Sequence, residues 1–480
     1  MSMSLKKYIF WSILFLFFSC QRYFVPIQEP LKVEIPKSFE LASQDTNSVA
    51  LLKWQDFFQD DELESLIAIA LQNNRDLQIA LQRIEKAKAE YLYSKGVLLP
   101  NLRFHASAGA DKFGDFTMNG VGNFDTNLSG NINENQRIPT RPTPDFFVGL
   151  RSTWEIDIWT KLRSSKKAQQ ARILASQEYK NLIVTELIAH IATLYYQILA
   201  LDSELEVVIR NIQLQEQVLV LMKTQKEAGR ATELAVQQTQ AQLYRTRSLQ
   251  FLLENQITDL ENQINFLCGR MPQKIARSRN FSEKAIPTIR TGTPVQMLRL
   301  RPDVRMAEKE LEAARFDVRS AQAAFLPSLT LDAYAGFNSF RSDVLFNPAS
   351  LAFGLLGGLV APIFQNNALK ANHKVSIARN YEAYFEYQKT LLRAFQEIQT
   401  FQKILANLQV VYDLRNKEVE ELQRAIITSQ DLFKTGFANY LEVITTQKAV
   451  LEAEIDLFEI RLHQFQYAIA LYRALGGGWQ

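Results

Sequence analysis

From Asp61 to Ala87 the apolar positions fall three or four apart: Leu63, Leu66, Ile67 and Ala70, then Leu77, Ala80, Leu81, Ile84 and Ala87. That spacing lines one face of a helix and predicts a helix from Asp61 to Leu98. Leu99-Pro100 ends it, because proline lacks the N–H that would continue the helix and restrains the residue before it. Directly after the proline the period drops to two. Leu102, Phe104, Ala106 and Ala108 alternate with Arg103, His105 and Ser107, which predicts a strand over about 102–110 with one apolar and one polar face. A Gly/Asn-rich stretch follows, and a second strand is expected over about 145–155.

The same order recurs farther along. Leu326-Pro327 ends a helix that begins near Arg301, and Leu329, Leu331, Ala333, Ala335 and Phe337 then alternate with Thr330, Asp332 and Tyr334. Strands are expected over about 329–339 and 351–363. Each strand is about ten residues, the length that crosses a bilayer as a tilted barrel strand.

Next come the longest elements. From about Thr160 to Ala228, and from about Gln365 to Thr435, neither proline nor a turn cluster interrupts the chain. At 1.5 Å per residue, a helix of either length measures about 100 Å. In the first, Ala168, Ala171, Ala175, Leu182, Thr185, Ala189, Ala192, Tyr196 and Leu199 keep a three-four spacing. Leu174, Val184, Ile188, Ile191, Tyr195 and Ile198 keep another beside it. So wide an arc, rich in alanine, suits a helix that touches neighbours on both sides, whereas a coiled coil uses one narrow seam. Tyr195 and Tyr196 therefore read as packing residues. Gly229 and Gly436 end the long helices as left-handed caps would. Thr232 and Asn439 then stand as N-caps of returning helices that run to Cys268 and Leu475.

The two halves are copies. An offset of 227 carries Asp76 to Asp303, Ala80 to Ala307, Leu99-Pro100 to Leu326-Pro327 and Gly109 to Gly336. Ile158-Trp159 matches Ile363-Phe364 at 205, so the first copy holds about 22 extra residues between its strands. Gly229 pairs with Gly436, Leu234 with Leu441 and Gly269 with Gly476 at 207. The organisation expected is a signal peptide at 1–19, an N-terminal segment at 20–60, a first repeat at 61–270, a linker at 271–300, a second repeat at 301–475 and a tail at 476–480.

Composition narrows the function. Apolar residues make up 47% of 480 and charged residues 22%, which excludes a disordered chain and a multi-pass helical membrane protein. A net charge of +3 gives no basic face for nucleic acid. His105, His190, His373 and His463 lie far apart, and no zinc motif, P-loop, GxSxG or GxGxxG loop occurs. No catalytic, metal or cofactor site is expected.

At the N-terminus, Lys6 and Lys7 precede an apolar run that ends at Ser19-Cys20. The run is too short for a mature span and reads as a secretory signal. A cysteine directly after it indicates a bacterial lipoprotein acylated at Cys20, although Phe17 and Phe18 depart from the usual small or leucine-like residues. The alternative is an ordinary signal peptide cut nearby. A lipoprotein's several chains anchor firmly, at about 0.8 kcal/mol per buried CH₂. Gln21 is not the aspartate that retains enteric lipoproteins at the inner membrane. Only Cys268 remains, so no intramolecular disulfide forms, and Cys268 is expected to pack near a helix end.

Two strands per copy give four per chain. Four strands cannot close a barrel, and an open edge cannot sit in hydrocarbon, so membrane-inserted strands require oligomerisation. Three chains would supply twelve strands, within the bacterial range. No helical run after the signal reads as apolar enough to span; the nearest candidate, LAFGLLGGLVAPIF, is about 14 residues and broken by glycine.

Four motifs in order carry a resemblance: WQDFFQDDELESLIAIALQNNRDL from Trp54, GTPVQMLRLRPDVRMAE from Gly292, KTGFANYLEV from Lys434 and YRALGGGW from Tyr472. The chain resembles, over essentially its whole mature length, the outer-membrane efflux proteins of the TolC type, in the lipoprotein branch serving resistance-nodulation-division (RND) pumps. The resemblance implies a fold of mixed α and transmembrane β. Each tandem-duplicated protomer would contribute four strands to a trimeric 12-stranded outer-membrane β-barrel continued by a long periplasmic α-helical barrel. A belt would come from about Gln21–Asp60, Met271–Gly292 and the C-terminus. The implied function is a passive exit duct in the outer membrane for drugs or other toxic small molecules. Its implied partners are a homotrimer, a periplasmic adaptor, an inner-membrane RND pump and outer-membrane lipid, with no cofactor.

By position, Gly229, Arg230 and Thr232, and Gly436, Phe437 and Asn439, would form the tips that meet the adaptor. Relatives often close the periplasmic end with aspartate rings after the second tip glycine. Glu442 matches one such position, and Thr445 stands at the other. Glu442 is also three residues after Asn439, where it would complete a capping box, so both roles stay open. Lys434 reads as a helix-end cation or as one half of an ion pair that holds a closed state. Segment Asp111–Gln136 is expected to be an extracellular loop that restricts the outer mouth. A periplasmic adaptor would carry one hairpin between split β-domains, and a coiled-coil scaffold would lack the alternating strands. A type I secretion duct is the nearest rival.

Overall fold

The structure, a computed structural model, describes residues 49–278, 281–287, 289 and 293–479. The signal sequence, Cys20 and most of the expected belt segment 20–60 lie outside the described residues, as does part of 271–300. In chain order the elements are α1 (Trp54–Phe58), α2 (Asp61–Asn73), α3 (Arg75–Gly96), β1 (Arg103–Asp111), α4 (Met118–Asn127) and β2 (Thr143–Ile156). Then follow α5 (Lys161–Glu227), α6 (Glu233–Leu267), α7 (Pro294–Leu300), α8 (Pro302–Ala323), β3 (Ser328–Ser339), β4 (Leu351–Val360), α9 (Ala368–Thr435) and α10 (Tyr440–Ala474). Helices α5 and α9 have 67 and 68 residues.

The chain divides into two compact units. One comprises Lys86–Ile173 and Glu310–Tyr384 and holds an antiparallel sheet in the order β1-β2-β3-β4. The repeats meet in the pairing of β2 with β3, where Gly149 stands opposite Gly336. Two indoles of the first repeat fasten the proline stops: Trp154 donates to the Leu98 carbonyl at 3.0 Å and Trp159 to that of Pro327 at 2.8 Å.

The second unit takes in residues 49–85, 174–309 and 385–479 of the described chain. Its core gathers Leu63, Ile67, Ile188, Ile191, Tyr195, Ile198, Ile264, Ile398, Phe465 and Tyr472, all essentially buried. Tyr472 stacks on Phe57 at 4.1 Å and Tyr196 on Phe465 at 4.4 Å. Asp60 caps α2 through the Glu62 and Leu63 amides and also accepts from the Tyr195 hydroxyl, the Ser278 hydroxyl and the Lys284 ammonium. Burial opposes its charge, but the Lys284 hydrogen bond and the other donors outweigh it and hold the carboxyl below its ordinary range. Cys268 is buried at the C-cap of α6, where its thiol points at the Leu66 carbonyl.

Three elements differ from the sequence reading. The helix expected from Asp61 to Leu98 breaks at Asn74, whose backbone is extended. Asn74 Oδ1 accepts from the Leu77 amide, and Nδ2 donates to the last carbonyl of α6, Leu267, at 2.9 Å. A short polar side chain has traded helix continuity for two hydrogen bonds, one to its own backbone and one across to α6. Second, the Gly/Asn-rich loop contains helix α4, capped by Thr117 through the Gly120 amide. Third, α5 does contain a window apolar enough to cross a membrane, but more than half of that window is buried inside the fold. Its apolarity is spent on contacts within the protein.

The second repeat replaces Asn74 with Arg301, 227 positions on. Arg301 Nη1 donates to the Ala474 carbonyl at 2.9 Å, so it reaches the end of α10 as Asn74 reaches the end of α6. Its remaining donors hold both Asp303 oxygens at 3.0 and 2.7 Å and Glu397 at 3.0 Å. The tail closes over this site, with Trp479 Nε1 on the Leu300 carbonyl and Arg305 against the Trp479 ring. Removing the guanidinium would take from Asp303 its ion-pair partner, leave Glu397 only the longer Arg473 contact at 3.7 Å, and strand a helix-end carbonyl. Arg301→Ala is therefore expected to cost roughly 3–5 kcal/mol, the range for breaking a buried pair from one side. Arg301→Lys should lose part of that, because the two-pronged hydrogen bond is gone but the charge stays. Thermal unfolding followed by circular dichroism of full-length protein in detergent checks both.

Candidate functional site

The residues singled out at the helical hairpins lie together at two adjacent tips. In the first, α5 ends at Gly229 with φ +69°. The Gly229 amide bonds to the Lys226 carbonyl and the Arg230 amide to that of Gln225. In the second, Gly436 has φ +83°, with the Gly436 amide on Phe433 and the Phe437 amide on Leu432. Both are Schellman closures, which satisfy the last carbonyls of a helix and require a left-handed residue. Thr232 then caps α6 through the Ala235 amide, and Asn439 caps α10 through the Leu441 and Glu442 amides. The Tyr440 hydroxyl donates to Gln238 Oε1 at 3.0 Å and joins one tip to the other.

The duplicated tips are latched by different chemistry. In the first, Lys226 pairs with Glu233 across the turn, and that ammonium holds the Glu233 carboxyl below its ordinary range. At the corresponding places the second tip has Phe433 and Tyr440, both packed on a cluster that includes Val236, Leu243 and Leu451. Arg230 and Phe437 occupy equivalent positions beyond the two glycines, and both are exposed, Phe437 at 85%. An exposed guanidinium on one tip and an exposed aromatic on the other are apt for protein recognition. Lys434 pairs with Asp431 of its own helix at 3.2 Å, a solvated contact worth little.

Glu442 is exposed on the first turn of α10. Its amide is held by Asn439, but among the described residues its carboxylate makes no return bond to the Asn439 amide, so the charge is free to face outward. Farther along the helices, half-buried Glu204 on α5 is pushed up to about 7, by burial first and then by the charge of Glu459 on α10.

In the sheet unit the register sorts side chains by face, because directly paired residues of an antiparallel sheet share a side. The row Phe104–Leu150–Ala335–Phe353 crosses all four strands, and Ala106–Val148–Phe337–Leu351 runs beside it. This face is apolar yet exposed, Phe104 at 72% and Phe353 at 79%. The opposite face carries Arg103, His105, Asp145, Arg151, Asp332 and Asn338. There the Thr153 hydroxyl donates to Asp332 at 2.8 Å and Asn338 Nδ2 to Asp145 at 2.7 Å. Alternation in the sequence made both faces legible; that one tip is latched by an ion pair and the other by packed aromatics is visible only in the structure. Among the described residues no group of three metal-ligating side chains could hold an ion.

A family model described as outer membrane efflux protein matches residues 66–270 and 293–477, leaving out the linker between the repeats. The pyoverdine export outer membrane protein OpmQ of Pseudomonas aeruginosa is 30% identical over 442 residues, 92% of this chain and 90% of its own. The cation efflux system protein CusC of Escherichia coli is 26% identical over 432 residues, 89% and 88% of the two chains. Among solved structures, the open state of the MtrE outer membrane channel of Neisseria gonorrhoeae aligns with a TM-score of 0.81 at 23% identity, covering 95% of this chain and 98% of that one.

The tip glycines give a contrast that can be measured. A Cβ on Gly436 meets open space, so Gly436→Ala costs only the left-handed backbone, about 1–2 kcal/mol. A Cβ on Gly476, also left-handed, would lie 2.6 Å from the Leu300 carbonyl carbon, so Gly476→Ala should be worse by a clear margin. Amide hydrogen exchange near residue 441 and thermal unfolding separate the two effects. For Glu204, a folded value raised above the ordinary 4.5 means that the native state holds more protons than the unfolded one between about pH 4.5 and 7. Stability should therefore fall as pH rises through that window, and Glu204→Gln should flatten the slope in a melting series.

Proposed function

The chain belongs to the outer membrane efflux protein family, and we propose that three copies form the outer-membrane channel of a tripartite efflux system. The observation that carries this is the sheet: four strands, an exposed apolar face, a polar face behind it and two open edges. In hydrocarbon the open edges require partners, and three copies supply twelve strands in one closed barrel. The apolar face then meets lipid and the polar face lines a passage. The helical hairpins extend on the periplasmic side, where the two tips present Arg230 and Phe437 to a periplasmic adaptor that links the duct to an inner-membrane RND pump. The protein supplies a passage and no chemistry, and the driving force comes from the pump.

Two further assignments belong to this reading. Cys20 is acylated and adds a lipid anchor to the barrel. Three Glu442 carboxylates converge at the periplasmic end, where they narrow the pore and favour cations. The freedom of the Glu442 carboxylate supports this role over a completed capping box. A type I secretion duct remains the second reading, because it would share the same barrel. The names of OpmQ and CusC, a pyoverdine exporter and a cation efflux protein, favour efflux of small solutes.

Protein extracted from outer membranes in mild detergent should have the native mass of a trimer, and its N-terminal peptide should carry acyl chains on Cys20. In planar bilayers it should conduct, and Glu442→Gln should lower its preference for cations over anions. A water-soluble monomer would sink the duct. A conducting trimer whose selectivity ignores Glu442→Gln would remove the ring alone.

A further inference from the structure

The connection from β1 to β2 has thirty-one residues, whereas eleven join β3 to β4 at the same end of the sheet. The long connection is a built structure. Asn127 at the end of α4 exchanges two 2.8 Å hydrogen bonds with the Ile138 backbone. Arg341, from the shorter connection, donates to the Glu134 carbonyl at 3.2 Å. Thr117 caps the helix, and a Cβ on Gly120 would lie 2.2 Å from the Gly114 carbonyl oxygen, so that side is tightly packed.

The helix held this way is turned inside out. Its half-buried positions are Gly120, Asn123 and Asn127, small or polar and spaced three and four apart. Its apolar residues point away: Met118 is 90% exposed, Val121 50%, Phe124 60% and Leu128 71%, with Phe116 fully exposed just before the cap. A surface helix normally hides its apolar arc. This one is fixed by hydrogen bonds with that arc uncovered, which is the pattern of an interface.

We propose that the apolar face of α4 packs on the neighbouring copy of this chain, against the β3–β4 connection that carries Phe346. This rests on the trimeric reading above and adds a contact to it. Strand β1 is one open edge and β4 the other, so in a closed ring the β1 of one copy pairs with the β4 of the next. The long connection leaving β1 then stands beside the neighbour's short connection entering β4. Phe346 there is 69% exposed and already leans on Phe337, 5.8 Å between ring centroids. The contact continues the strand pairing beyond the end of the barrel. It seals each seam by side chains where the backbone ladder stops.

The test is disulfide trapping of full-length protein in outer membranes, in a Cys268→Ser background. Phe124→Cys or Leu128→Cys is combined with Phe346→Cys, and each variant is first shown to run as a native trimer before oxidation. The expected result is loss of the monomer band to covalently linked oligomers on a non-reducing denaturing gel, requiring both cysteines of a pair. Native trimers in which neither pair links, or links only within one chain, overturn the contact and leave the duct reading intact. Absence of a trimer removes both. In parallel, the fluorescence gained by Phe124→Trp should resist brominated phospholipids; strong quenching would place the face against lipid and also overturn the proposal.

Discussion

Hydrocarbon offers no hydrogen-bond partner, so each unpaired backbone N–H or C=O costs several kcal/mol there. A sheet of four strands ends in two such rows, one along β1 and one along β4. Along β4 the row is not blunted in the ways soluble proteins use, by a short strand, prolines or inward charges: the strand is LAFGLLGGLV over ten residues, without a charge. A lone chain with that strand at its edge is a template awaiting another strand. Other features follow from meeting this requirement: two strands per repeat, strands of bilayer length, and an apolar face continuous across the join between the copies.

The duplication shows which parts of the design are fixed and which are free. Four helix ends, at Gly229, Gly269, Gly436 and Gly476, use the same left-handed closure, because a returning helix needs its last carbonyls satisfied whatever surrounds it. What differs is how the space around each glycine is filled. Gly269 and Gly476 pack against the backbone of Asn73 and Leu300, whereas Gly229 and Gly436 face open space. The first pair sits in the core of its unit and the second at its free ends. The clamp near the core has also diverged, from the amide of Asn74 to the guanidinium of Arg301. That change draws in Asp303 and Glu397 as counter-charges, since a buried cation is tolerated only when paired.

Much of this was legible in the chain, for a physical reason. Strands and helices leave different periods, and a proline stop between them fixes where one period gives way to the other, as at Leu99-Pro100 and Leu326-Pro327. The tips were legible because a left-handed closure followed by a capping residue needs particular side chains in a fixed order. The break at Asn74 was not, because asparagine leaves the helix only when a partner such as the Leu267 carbonyl is in reach, almost two hundred positions away. Helix α4 was hidden by its own composition. Glycines and asparagines argue for a turn, and the helix stands only because Thr117 caps it and Asn127 ties its end to Ile138.

The candidate site was legible by position and not by chemistry. Equal spacing places Arg230 over Phe437 and Lys226 over Phe433, yet nothing in the spacing says that one tip is latched by an ion pair and the other by packed aromatics. The consequence is directional. An exposed ion pair weakens with salt, whereas an apolar cluster does not, so the two hairpins of one chain answer to different conditions at their ends. Three copies would bring six tips into a ring that alternates between charged and aromatic latches. The alternation is set by the duplication itself, because each chain carries one latch of each kind.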